Sequence, residues 1–181
     1  MNVRRRLWGF TLLEALVVLA LVAVLASMAA PAMSRLRQQH RLQAQAEALF
    51  NSLMLARSEA LRQQQRVTVC ARTADDRCAA VGGWTQGWMV FADANANAQR
   101  ESSEQVLQKH EALPAGMALE GNSLVSRYVS YGLEGRSQTT SGAFQAGTLI
   151  LCHVDAVQAW HLVINALGKP RLEKIAADGC R

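Results

Sequence analysis

From Phe10 to Ala30 the chain is apolar at almost every position, and Glu14 is its only charged residue. Those 21 residues would rise about 30 Å as a helix, the thickness of a bilayer core. From Ala32 to about Gln65 the pattern changes. This stretch has no Gly or Pro and is rich in Ala, Leu, Gln, Arg and Glu, all good helix formers. Leu42, Ala46, Leu49, Phe50, Leu53, Ala56, Ala60 and Leu61 recur at helical spacing, while Arg41, Gln45, Arg57 and Gln64 fall mostly on other faces. The pattern predicts an amphipathic helix that continues from the apolar run and lays one stripe on a globular domain.

After Arg66 the periodicity shortens. Strands are predicted near Val67–Ala71, Gly87–Phe91, Gln105–Lys109, Met117–Glu120, Arg127–Tyr131, Gly147–Cys152, Trp160–Asn165 and Arg171–Ile175, separated by Gly, Asn, Ser and Asp clusters. The expected class is α+β, with a long N-terminal helix on antiparallel sheets. Four segments follow: a basic N-terminal stretch at 1–9, an apolar helix of membrane-spanning length at 10–30, an amphipathic helix at 31–66 and a β-rich domain at 67–181.

Charge orients this scheme. Arg4, Arg5 and Arg6 precede the apolar run with no acidic residue among them, and Arg35 is the first charge beyond Glu14. A short cationic N-terminus stays in the cytoplasm, so the expected topology is a single pass with the body outside. A secretory signal peptide would have a shorter apolar core and a small-x-small cleavage site, for which Ala26-Ser27-Met28 and Ser27-Met28-Ala29 are weak matches. A plain anchor accounts for the apolar run but not for Glu14. A carboxylate inside an apolar span costs a few kcal/mol, and such residues are usually functional or paired.

The stretch Gly9-Phe10-Thr11-Leu12-Leu13-Glu14, with its basic leader and apolar helix, resembles the type IV prepilin cleavage motif. The resemblance implies that a prepilin peptidase cuts after Gly9 and methylates the new amine of Phe10. Glu14 becomes the fifth residue of the mature chain and pairs with the Phe10 amine of a neighbouring subunit during assembly. Pro31 falls where many pilins carry a helix-bending proline. A lone buried acid is costly and a paired one is tolerated, so the pair would favour docking and fix register.

Further along, Val69-Cys70 with Cys78, Trp84, Gly87-Trp88-Met89-Val90-Phe91 and Asp93, Tyr131-Gly132-Leu133 with Gly135-Arg136, Cys152, Leu162-Val163-Ile164-Asn165 and Gly168-Lys169-Pro170-Arg171 resemble the GspH/FimT/FimU branch of minor pilins and pseudopilins. The implied role is structural: a low-abundance subunit at or near the tip of a type IV pilus or type II secretion pseudopilus, priming assembly. The implied partners are other pilins or pseudopilins, the peptidase and an inner-membrane assembly platform. The body would be periplasmic before the chain enters the filament. FimT-like pilins suggest an alternative in DNA uptake through a basic element near the C-terminus, for which Lys169 and Arg171 are the candidates here.

Cys70, Cys78, Cys152 and Cys180 fall on the side predicted to permit disulfides. Of the three pairings that four cysteines allow, the favoured one is Cys70–Cys78, closing a short polar loop, with Cys152–Cys180 tying down the C-terminus. No CxxC pair points to zinc. Asp93, Asn95, Asn97, Gln99, Glu101 and Glu104 have the spacing of a calcium loop, with Ala98 where that loop carries glycine. The competing reading is a polar turn between strands.

The formal charge of +5 shrinks once Arg4, Arg5 and Arg6 leave with the leader, to 16 basic against 14 acidic residues. That is little excess for a dedicated nucleic-acid binder. The remaining surplus lies on the helix at Arg35, Arg37, Arg41, Arg57, Arg62 and Arg66, as a solvated face or a contact to anionic headgroups. His40, His110, His153 and His161 have no acid–nucleophile context, although His153 and His161 flank a predicted hairpin and could approach each other. No enzyme activity, cofactor, metal centre or small-molecule substrate is expected, and Trp84, Trp88 and Trp160 read as core or sheet aromatics.

Overall fold

The computed structural model describes residues 11–81 and 83–177, without the side chains of residues 28–32. Two compact units divide the chain, Met1–Gln38 and Gln39–Arg181. One helix, α1 (Leu12–Gln63, 52 residues), begins in the first and ends in the second.

Within the second unit α1 carries a stripe at Leu42, Ala46, Leu49, Leu53, Ala56 and Ala60, all almost completely buried. The alternating spacing of four and three keeps these residues on one face. Phe50 and Leu61 each lie one residue past a stripe position. Phe50 is half-buried and packs against the main core as predicted, whereas Leu61 is exposed, which corrects the stripe predicted for it. Alanine at 46, 56 and 60 leaves room for the sheets to approach the helix closely.

Among the described residues nine strands follow: β1 (Val67–Ala71), β2 (Trp88–Ala92), β3 (Val106–His110), β4 (Met117–Gly121), β5 (Tyr128–Tyr131), β6 (Ser137–Gln138), β7 (Gly147–His153), β8 (Gln158–Ile164) and β9 (Pro170–Ala176). All ladders are antiparallel. One sheet has the order β3-β2-β1-β5-β6 and the other β4-β7-β8-β9. Eight strands lie where the sequence pattern puts them, within two residues. The missed one, β6, is a two-residue bridge with no alternation to signal it.

Every residue of β1 and β2 is buried, so the first sheet is covered on both faces. Val67, Val69, Trp88 and Val90 join Leu42, Leu49 and Leu53 in the main core. Trp88 donates its indole N–H to Ser52 Oγ (2.9 Å), and Trp84 donates to the Val125 carbonyl (3.1 Å), so both buried indoles are satisfied. On the opposite face Cys70, Cys78, Met89 and Phe91 form a second small cluster with Tyr128 against it. The second sheet contributes Leu119, Leu149, Leu151, Leu162 and Ile164 to the main core.

Candidate functional site

At its N-terminus α1 is capped locally. Thr11 Oγ1 accepts the Glu14 N–H (3.2 Å), and the Ala15 N–H bonds the Thr11 carbonyl (3.1 Å). Thr11 thus serves as N-cap and places Glu14 in the first turn, where a carboxylate suits the helix dipole. Thr followed three residues later by Glu is the sequence signal for such a cap. Gly9 and Phe10, the expected processing junction, lie outside the described residues, whereas the Glu14 side chain is described and exposed.

Apart from Glu14, the first turns of the helix are apolar all round. Leu12, Leu13, Leu16, Val17, Val18, Leu19, Leu21, Val22, Val24 and Leu25 are each at least half exposed. A helix apolar on every face is stable only when something apolar surrounds it. Among the described residues no helix is long and apolar enough to cross a membrane. The described side chains of this run stop at Ser27, whereas the apolar sequence continues to Ala30.

The Cys70–Cys78 disulfide forms as expected, with Cα atoms 5.5 Å apart. The loop it closes is tied to β3. Arg72 donates to Glu111 Oε2 (2.6 Å) and to Asp76 Oδ1 (3.1 Å), and Lys109 pairs with Asp76. The hydrogen bond from Arg72 holds the Glu111 carboxyl below its ordinary range, and the bond from Lys109 does the same for Asp76. Cys152 is also disulfide-bonded, and its expected partner Cys180 lies outside the described residues.

The loop after β2 covers the outer face of the first sheet. Asp93 is fully buried and accepts from Thr68 Oγ1 (2.7 Å), the Asn97 N–H (3.0 Å) and the Ala98 N–H (3.1 Å). Since the carboxylate takes the Thr68 proton, Ser130 Oγ at 2.6 Å donates to Thr68. Asn95 and Asn97 accept from the backbone two residues on, and Ala98 sits at φ 58°, the left-handed region for which glycine is better suited. Glu104 folds back onto the Ala94 and Glu101 N–H groups, and burial pushes its carboxyl up. The Asn97 amide bond to Glu101 holds that carboxyl down. The calcium-like spacing is therefore realised as a loop whose oxygens largely serve its own backbone. Among the described residues no group of three His, Cys, Asp or Glu is placed to hold a metal ion.

Lys169 is exposed in the turn between β8 and β9, and its N–H bonds Asn165 Oδ1 (3.0 Å). Arg171, at the start of β9, pairs with Glu173 (2.7 Å). Gly168 is required by the fold: at φ 75°, a Cβ there would stand 2.6 Å from the Gly135 carbonyl oxygen. One other expectation changes. His161 pairs with Ile150 and Glu173, while His153 pairs with Met117, so alternation puts the two histidines on opposite faces of the sheet rather than together. Trp88 stacks on His110 with centroids 3.8 Å apart, a contact that strand pairing creates and the sequence did not suggest.

The model of the family described as type II transport protein GspH matches residues 45–168. The chain belongs to the GspH family. Among solved structures it is similar to the type IV minor pilin FimU of Pseudomonas aeruginosa, with 21% identity and a TM-score of 0.55, over 75% of this chain and 90% of that one. It is also similar to the minor pseudopilin EpsH from the type 2 secretion system of Vibrio cholerae, with 12% identity and a TM-score of 0.50, over 76% of this chain and 98% of that one. At such identities these two show a shared fold. No curated protein sequence matches the chain. The family shown is thus that of type II transport protein GspH, and the fold is one shared with a type IV minor pilin and a type 2 secretion pseudopilin.

Proposed function

We propose that this GspH-family chain is made as a prepilin, cut between Gly9 and Phe10, methylated at Phe10 and built into a filament at or near its tip, where it primes assembly. The observation that carries this reading is the contrast along α1. The body completes its own core, yet the helix from Leu12 to Leu25 offers an apolar surface on every side that the chain does not cover. Before assembly the run 10–30 lies in the inner membrane as a single pass, with the body periplasmic; afterwards the same surface packs among neighbouring helices. Glu14 then has a defined task. Its carboxylate meets the new Phe10 amine of an adjacent subunit, which compensates the cost of an acid in that setting.

The alternative, a DNA-uptake pilin, rests on Lys169 and Arg171. Phosphate binding needs several clustered and available cations. Here Arg171 is engaged by Glu173, and nearby Arg136 by Glu134 (3.3 Å). The filament reading therefore stands first. Its test is the sheared filament fraction of cells producing wild type or Glu14→Ala. Wild type is expected in the fraction, and the variant is expected to be cleaved yet depleted from it. Equal incorporation of both would refute the role of Glu14.

A further inference from the structure

Two loops beside the first sheet face each other across a polar groove that the filament reading does not use. One is the disulfide loop after β1, and the other joins β2 to β3. The groove has a volume of about 840 Å³. Thr73, Asp75, Asp76 and Arg77 line it from the first loop, and Gln99, Arg100 and Ser102 from the second. A smaller cavity of about 260 Å³ continues it past Cys78 and Gln99, which line both, to Arg127, Tyr128 and Thr140. Such dimensions are those of a ligand site.

Both walls are fixed. The Cys70–Cys78 disulfide closes the first loop, in which Thr73 Oγ1 accepts the Arg77 N–H (3.2 Å). Buried Asp93 holds the second loop through the Asn97 and Ala98 N–H groups. Each wall keeps a non-glycine residue in the left-handed region, Asp76 at φ 57° and Ala98 at φ 58°. That conformation costs free energy and collects at functional sites. A ligand would meet walls already in place, which lowers the ordering cost of binding.

The charges of the groove are unequally engaged. Asp76 is taken up by Lys109 and by Arg72 (3.1 Å). Arg77 and Arg100 make no ion pair among the described residues, and Arg100 Nε is buried without a hydrogen-bond partner. A buried donor left unpaired is costly, and a guanidinium matches a carboxylate well. A run of phosphates fits less well, because it needs several clustered cations and would meet Asp75 and Asp76 in the same wall. Asp75 and Gln99 instead suit a peptide backbone, one as acceptor and the other as donor and acceptor. An extended peptide with acidic side chains satisfies both sets of groups.

We propose that the groove between the disulfide loop and the β2–β3 loop binds an extended acidic peptide, with Arg77 and Arg100 taking its carboxylates and Asp75 and Gln99 its backbone. The proposal stands whether or not the filament reading does. The test is fluorescence anisotropy of the full chain in a neutral detergent, with a labelled, acetylated decapeptide of alternating Glu and Ser. The matching Gln–Ser peptide and a labelled DNA decamer are the comparison probes. The Glu peptide should bind about tenfold more tightly than the Gln peptide. Arg77→Ala combined with Arg100→Ala should weaken the Glu peptide about tenfold. Arg62→Ala combined with Lys174→Ala removes the same charge at two exposed positions outside the groove and should leave binding unchanged. Melting temperatures show whether each variant is folded. Should the Arg77/Arg100 double variant unfold, Arg77→Ala alone, at an exposed position, should still weaken binding about threefold. A wild-type chain that does not bind the Glu peptide, an equal loss in both double variants, or tighter binding of the DNA decamer overturns the proposal.

Discussion

The two halves of α1 follow opposite rules within one continuous helix. Between Leu12 and Leu25 the described surface is apolar and bare apart from Glu14. Between Leu42 and Ala60 only one stripe is apolar, and it is covered. The second half satisfies its hydrophobic surface within the chain, whereas the apolar side chains of the first stay exposed. On the proposed function, folding and assembly are assigned to separate stretches of a single element.

The largest way to break that contrast is to remove the first half. Residues 39–181 produced alone should melt cooperatively, remain monomeric in gel filtration and be lost from membrane and filament fractions. An unfolded or aggregated fragment would show that the body depends on the apolar half. A change in the second half should do the reverse. Leu53 is fully buried, so Leu53→Ala should destabilise the body by about 2–5 kcal/mol in urea titrations while leaving cleavage at Gly9 intact.

A smaller loss is expected from the disulfide that clips the outer face of the first sheet. With a sequence separation of 8, Cys70→Ser combined with Cys78→Ser removes a short-loop constraint. The cost should be about 2–3 kcal/mol, read as a lower denaturant midpoint. Smallest is the pH response of the charges around that loop. Glu111 and Asp76 are held below their ordinary values of 4.5 and 3.8 in the folded chain. Their contribution is therefore full above those ordinary values and is lost as pH falls through the depressed folded ones. Glu111→Gln should flatten the acid side of the stability profile slightly; an unchanged profile would mean that the Arg72 pair contributes nothing.

Much of this was legible in the chain because periodicity reports burial directly. The helix stripe, eight strands and the Cys70–Cys78 loop all follow from local pattern. Leu61 is misplaced because composition does not say where a stripe ends, and it sits one step off the seam. The acidic and amide-rich loop from Asp93 to Glu104 looked like a ligand set. Its part in covering β1 depends on Thr68 and Ser130, which only strand pairing brings to Asp93. The contact of Gly168 with Gly135 was hidden for the same reason, since nothing local to either turn announces the other.

The central claim is that α1 begins with a processed, filament-forming end. It is tested most directly by the mass of the N-terminal peptide of the chain recovered from sheared filaments. The account predicts a peptide that starts at Phe10 and carries one added methyl group. A peptide that starts at Met1, or one cut after Met28 or Ala29 as a secretory signal would be, would contradict it.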